Sequence, residues 1–232
     1  MMNIGIVAIV CFIIVVVIMA IIIIIISRRN TKNNIEHESQ GGGPPEIIYI
    51  IRHGEKPATS GSPFGVDFNG NNNNNSLLPR GWQRSGALTA LFDPTNGSLQ
   101  KGLHVPTSLF SPLYGDSTKT ITHRTYQTIQ GLSERLGKPI NSTVSVGNES
   151  QLVTNVLNNY SDVVLICWEH NHIPLIASAI PTVSGTIIPK TWPNNRFDVI
   201  WVFTIVQGSN PIKYNFTQIP QQLLSGDTNT VI

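Results

Sequence analysis

Two short segments hold the residue types that group transfer at an anionic centre requires. Arg52-His53-Gly54-Glu55 follows the apolar run 47–51, and Trp168-Glu169-His170 follows the apolar run 163–167. A neutral imidazole is a nucleophile or a base at the nitrogen that carries no proton. A guanidinium binds oxyanions through two parallel hydrogen bonds, which an ammonium does less well. A carboxyl can hand a proton to a departing oxygen. His53 and His170 lie far apart in the chain, so only the fold can bring these groups together.

The elements that would position them are legible in the pattern. Residues 47–51 and 163–167 are continuous apolar runs rich in β-branched side chains, which predicts strands buried on both faces. Residues 197–206 read as a further strand, and 211–216 as its hairpin partner across Gln207-Gly208-Ser209-Asn210. Residues 106–110 form another short strand candidate. Helical spacing covers 79–92, with Trp82, Ala87, Leu88, Leu91 and Phe92 as its apolar positions. A second helix over 122–136 stops at Gly137. Strands alternating with helices predict an α/β domain. In such sheets ligands sit beyond the carboxyl ends of the strands, and both histidine segments fall at such ends.

Four elements in chain order resemble the histidine phosphatase superfamily, in its phosphoglycerate-mutase-like branch. They are the Arg52-His53-Gly54-Glu55 tetrapeptide after an apolar strand; the Leu78-Pro79-Arg80-Gly81-Trp82-Gln83-Arg84 helix start; Ser111-Pro112 with Arg124-Thr125-Tyr126-Gln127-Thr128; and the strand ending in Glu169-His170. The likeness spans residues 46–207. It implies a three-layer α/β sandwich with a mainly parallel sheet and an antiparallel edge. It also implies His53 as the phosphoryl-accepting nucleophile, Arg52, Arg124 and His170 as phosphate-binding groups, a phosphorylated substrate, and no metal or other cofactor.

The general acid is open at this level. Glu169 is preferred because it adjoins His170, although neighbours on an extended strand point to opposite faces. Glu149 lies in a loop where phosphoglycerate mutases carry their acid, and Glu55 is a third candidate. The chain also departs from the mutases. Thr59 stands where their signature has Asn, and Gly-, Ser- and Asn-rich sequence replaces their substrate segment. That argues for a phosphatase rather than a mutase. Rival readings are a non-catalytic phospho-ligand or protein-binding module of the same fold, marked by loss of a pocket Arg or His, and a metal-dependent hydrolase. None of Arg52, His53, Arg124 and His170 is lost. Cys167, His170 and His172 have spacing a metal could use, but no second cluster accompanies them.

Outside residues 46–220, assigned to this domain, the sequence predicts three further segments. Residues 4–26 are uncharged and apolar throughout, which predicts one transmembrane helix contacting the lipid bilayer. Arg28, Arg29 and Lys32 follow it, which places the domain of a single-pass membrane protein on the cytosolic side. Residues 27–45 read as a polar linker ending in Gly41-Gly42-Gly43-Pro44-Pro45, and 221–232 as a C-terminal tail. Inside the domain, the Asn-rich stretch 69–75 reads as a disordered surface loop. A net charge of +2 over 232 residues gives no footprint for nucleic acid. Of the two cysteines, Cys11 lies in the apolar leader, so the domain has no internal disulfide.

Overall fold

The computed structural model describes residues 43–58 and 62–232. Its strands are β1 (Ile47–Arg52), β2 (Ser108–Phe110), β3 (Ile140–Asn141), β4 (Val163–Trp168), β5 (Val199–Ile205) and β6 (Tyr214–Pro220). Its helices are α1 (Pro79–Phe92), α2 (Arg124–Leu136), α3 (Glu149–Asn159) and α4 (Ile173–Ala179), with a 3₁₀ segment at Ser117–Thr122. The six strands form one sheet in the order β3-β2-β4-β1-β5-β6. β3, β2, β4 and β1 run parallel, while β5 lies antiparallel to β1 and β6 antiparallel to β5.

Alternation along β1 divides the core into two layers. Ile48 and Ile50 pack with Val164, Ile166, Trp201 and Phe203 under Leu152 and Val156 of α3 and Ile173 and Ile176 of α4. Ile47, Tyr49 and Ile51 face the other way, against Leu165, Ile200 and Val202 under Leu88 and Phe92 of α1 and Ile129 and Leu132 of α2. Burial of each large apolar side chain contributes about 1.5–3 kcal/mol. A sheet covered on both faces explains why β1 and β4 read as unbroken apolar runs rather than alternating ones.

Helix boundaries have local causes. Pro79 opens α1 at its first position, where a missing N–H costs nothing. Gly137 closes α2 in the left-handed region at φ 63°, its N–H donating to Glu134 O. Any other L-residue there would pay about 1–2 kcal/mol of backbone strain.

Two sequence expectations are corrected within the domain. Residues 69–75 are ordered. Asp67 Oδ1 accepts from the Asn69 and Asn71 N–H groups at 2.9 Å each, Asn73 N–H donates to Gly65 O at 2.8 Å, and Val66 bridges Asn72. Composition alone overlooks that Asp and Asn side chains replace ladder bonds with local ones. Residues 221–232, expected as a tail, are packed: Gln221 is buried, Asp227 pairs with Arg84, and Ile232 N–H donates to Gln218 Oε1.

The membrane-anchored architecture is also corrected. Among the described residues no helix is long and apolar enough to cross a membrane. The longest, α1, has 14 residues, about 21 Å at the helical rise, against a bilayer core of about 30 Å. The span expected over 4–26, and all but the last residues of the linker expected over 27–45, lie outside the described residues. Neither the single-pass localisation nor the bilayer contact is therefore supported, and the structure supports the α/β domain without them. Of the linker, Pro45 is buried, and its carbonyl accepts from Tyr214 Oη at 2.8 Å.

Candidate functional site

Strand register brings the two histidine segments together. β1 and β4 are parallel neighbours with Arg52 opposite Trp168, so the next residues of both chains leave the sheet at the same edge. His53 N–H donates to Trp168 O at 3.2 Å, which continues the ladder one step past β1. β4 ends at Trp168, and the chain turns at once: the His172 and Ile173 N–H groups both donate to Glu169 O. The alternation that told against Glu169 therefore stops one residue before it.

α2 closes the same edge. Gly54 N–H donates to Thr128 Oγ1 at 2.8 Å, and Thr128 Oγ1 donates to Arg124 O at 2.6 Å. The first turn of α2 thus docks on the residue after His53. α1 approaches just as closely, since a Cβ on Gly81 would lie 2.6 Å from Glu55 O. A side chain at Gly81 would push that helix off the loop carrying His53.

His53 is 3% exposed. Its Nδ1 lies 2.7 Å from Gly54 O, an atom that can only accept. Nδ1 therefore carries the proton, and Nε2 of the neutral ring keeps its lone pair. Burial, reinforced by the Arg52 charge, holds the imidazole well below its ordinary pKa against the opposing Gly54 bond; Arg124 and His170 push the same way.

Arg52 is fully buried. Its Nη1 is shared among the carbonyls of Pro193, Asn194 and Arg196 at 3.2, 2.8 and 3.0 Å. Its guanidinium carbon sits 3.9 Å from the centre of the Phe197 ring. Nε and Nη2 have no hydrogen-bond partner among the described residues. Burial, and then the Arg124 charge, push its pKa down to about 10 in spite of Glu55. A buried cation with two idle donors is an unusual expense unless an anion meets it.

His170 is 7% exposed, and its Nε2 lies 2.6 Å from Asn194 Oδ1. With Oδ1 as acceptor, Nε2 carries the proton of the neutral ring. Burial, then Arg52, lower its pKa against the Asn194 bond. Arg124 donates to Asn74 O at 3.2 Å; burial lowers its pKa, with Tyr114 and Glu169 opposing. The exposed Lys56 is lowered by burial and by Arg124 and Arg52, and raised by Glu169. Arg52, His53, Arg124, His170 and Glu169 are thus close enough to act on one another's charge.

The other two acid candidates are held elsewhere. Glu55 accepts from Arg80 Nε at 3.1 Å and from Arg84 Nη2 at 2.8 Å. Glu149 Oε1 accepts from Gly147 N–H at 2.9 Å and Trp168 Nε1 at 3.1 Å, with His172 Nδ1 at 2.9 Å but off the line of a hydrogen bond. Burial alone would raise its pKa; the backbone and Trp168 bonds outweigh it and hold the carboxylate below its ordinary range. Glu169 is half-buried and accepts from Tyr114 Oη at 3.1 Å.

Cys167 is buried on the α1/α2 face, and burial pushes its thiol pKa up. Among the described residues no group of three or more His, Cys, Asp or Glu side chains is arranged to hold a metal ion. Sequence reasoning missed Asn194, Phe197, Thr128 and Tyr114. Only Thr128 falls within a quoted motif; the segment around 193–197 carries no sequence signal, because its contribution is mainly backbone carbonyls.

No protein-family model and no curated protein matches the chain. Solved structures do match. An Agrobacterium tumefaciens protein assigned as the phosphohistidine phosphatase SixA is 13% identical, over 75% of this chain and 98% of that chain, with a TM-score of 0.42. Mycobacterial hydrolase 2 is 11% identical, over 81% and 93% of the two chains, with a TM-score of 0.42. A mycobacterial glucosyl-3-phosphoglycerate phosphatase complexed with VO3 is 12% identical, over 74% and 97%, with a TM-score of 0.43.

Proposed function

We propose that the protein hydrolyses phosphate monoesters through a phosphohistidine on His53. The observation that carries this reading is the buried Arg52, whose Nε and Nη2 lack partners among the described residues, next to an imidazole kept neutral at Nε2. A phosphate dianion repels most nucleophiles and is costly to bury. Here Arg52, Arg124 and Lys56 supply positive charge before the substrate arrives, and such preset charge is the main lever in phosphoryl transfer. The dianion also favours the doubly protonated form of His170, whose Nδ1–H then donates to a phosphoryl oxygen.

Nε2 of His53 attacks phosphorus while the ester oxygen departs. The Nδ1–H bond to Gly54 O persists and spreads the positive charge that forms on the ring. Glu169 is the proton source for the departing oxygen. Tyr114 occupies its Oε1, which leaves Oε2 for the proton. Water then attacks the phosphohistidine, with Glu169, now ionised, as base. Splitting the reaction this way replaces one hard step by two easier ones.

The test is a screen of the fragment from Glu46 on sugar, nucleotide, lipid and peptide phosphates, with His53→Ala alongside. Turnover is expected in the parent and none in the variant. Label trapped from substrate should be lost in acid, as a phosphohistidine is. A stable label on Ser, or full activity in His53→Ala, would falsify the assignment.

A further inference from the structure

Tyr114 is tied to the site by bonds that packing alone does not explain. Its hydroxyl donates to Glu169 Oε1 at 3.1 Å and lies 3.2 Å from Thr125 Oγ1. The single phenol proton goes to Glu169, so Thr125 is the donor in the second contact. Thr125 is fully buried and adjoins Arg124 in the first turn of α2. The Tyr114 ring stacks on His123, with centroids 3.6 Å apart and planes 9° from parallel. The backbone is pinned as well, since Leu113 N–H donates to Val144 O at 2.8 Å. Tyr114 therefore has a fixed ring, a fixed backbone and one outward bond, and that bond reaches the half-buried carboxylate next to His170.

We infer that Tyr114 is the positioning residue that aims the Glu169 carboxyl at the departing oxygen and couples it to the Arg124 end of α2. The inference rests on the phosphatase reading above. A glutamate side chain has three rotatable bonds, and proton transfer demands placement within hydrogen-bond reach. Fixing Oε1 on Tyr114 leaves the carboxyl one way to present Oε2. The phenol suits this role because burial keeps it protonated, so it remains a donor across the working pH range. Thr125 and His123 flank Arg124 in sequence, so the anchor of the carboxyl is built on the same end of α2 that carries the phosphate-binding arginine.

The experiment compares the parent, Tyr114→Phe, Glu169→Gln and the double variant on two probes, β-glycerol phosphate and p-nitrophenyl phosphate. Alkoxide departure needs a proton, whereas p-nitrophenolate leaves nearly unaided. Tyr114→Phe should lower kcat on β-glycerol phosphate up to about tenfold, as loss of one hydrogen bond does. It should change the p-nitrophenyl phosphate rate less than about twofold and leave KM alone on both probes. The double variant should fall no further than Glu169→Gln. Thr125→Val, which removes the donor behind Tyr114, should show a smaller loss with the same selectivity. Equal losses on both probes in Tyr114→Phe, beside a selective loss in Glu169→Gln, would overturn the inference and spare the acid assignment. A further drop in the double variant would do the same. Equal losses in Glu169→Gln itself would remove the acid assignment and this inference together.

Discussion

Arg52 and Arg84 are both buried, at 0% and 1% exposure, yet they sit in opposite surroundings. Arg84 donates to Glu55 at 2.8 Å, to Asp227 at 2.7 Å and to Gln221 at 2.9 Å. Asp227 in turn accepts from the Leu223 and Leu224 N–H groups. Among the described residues Arg52 meets only carbonyl oxygens and an aromatic face, and two of its nitrogens have no hydrogen-bond partner there. One guanidinium is consumed in holding α1, the loop after β1 and residues 221–227 together. The other is held by its neighbours without being neutralised. A fully paired buried ion serves structure; a positioned but unpaired one leaves its charge for something that binds.

The largest expected effect tests the paired side. Arg84→Ala leaves the buried Glu55 and Asp227 with only the part-exposed Arg80 as cation and should cost about 3 kcal/mol of stability, read as a fall in the urea midpoint. Replacing Arg84, Glu55 and Asp227 together by apolar residues of similar size should recover much of it. If Arg84→Ala unfolds at the parent's midpoint, the contrast between the two arginines is gone.

On the unpaired side the losses should appear in rate. Arg124→Ala and His170→Ala are each expected to raise the barrier of the first step by about 2–4 kcal/mol, as loss of a transition-state donor does, with urea midpoints nearly unchanged. Stopped-flow release of p-nitrophenol reads that step directly. Inorganic phosphate should stabilise the parent by about 2.7 kcal/mol at a hundred times its Kd. A thermal shift should show this in the parent and not in Arg52→Ala. An equal shift in both would mean that phosphate binds elsewhere.

The smallest expected effect is on pH. The folded-state pKa of His53 lies well below its ordinary value, chiefly through burial and then through Arg52. As pH falls through about 6.5 the unfolded chain takes up a proton that the folded protein refuses. The stability contribution is therefore complete above that pH and is lost as pH drops towards the folded value. Urea unfolding at successive pH values should show a shallower acid slope in His53→Asn than in the parent. An unchanged slope would mean that the ring is not held neutral.

The strands and helices around the site were readable because each rule acts locally. Residues 79–92 and 163–167 coincide with α1 and most of β4, since burial on one stripe or on both faces leaves a period in the sequence. The loop at 69–75 was misread because Asp67 orders it through its own side chain, which composition does not register. The choice among Glu169, Glu149 and Glu55 was not readable either. It depends on which carboxylates are already occupied, and the partners that occupy them, Arg84, Trp168 and Tyr114, come from other elements.

By itself the sequence determined where neutral imidazole, guanidinium and carboxyl groups stand relative to the ends of apolar strands, because strand burial and residue chemistry are written residue by residue. Only the tertiary structure decided that β1 and β4 are neighbours in register, that β4 stops at Trp168, and that among the described residues Arg52 keeps two donors idle while Arg84 keeps none. Whether a buried charge is satisfied depends on every atom within hydrogen-bond reach. Here those atoms come from segments more than a hundred residues away, such as Asp227 for Arg84 and the 193–196 carbonyls for Arg52.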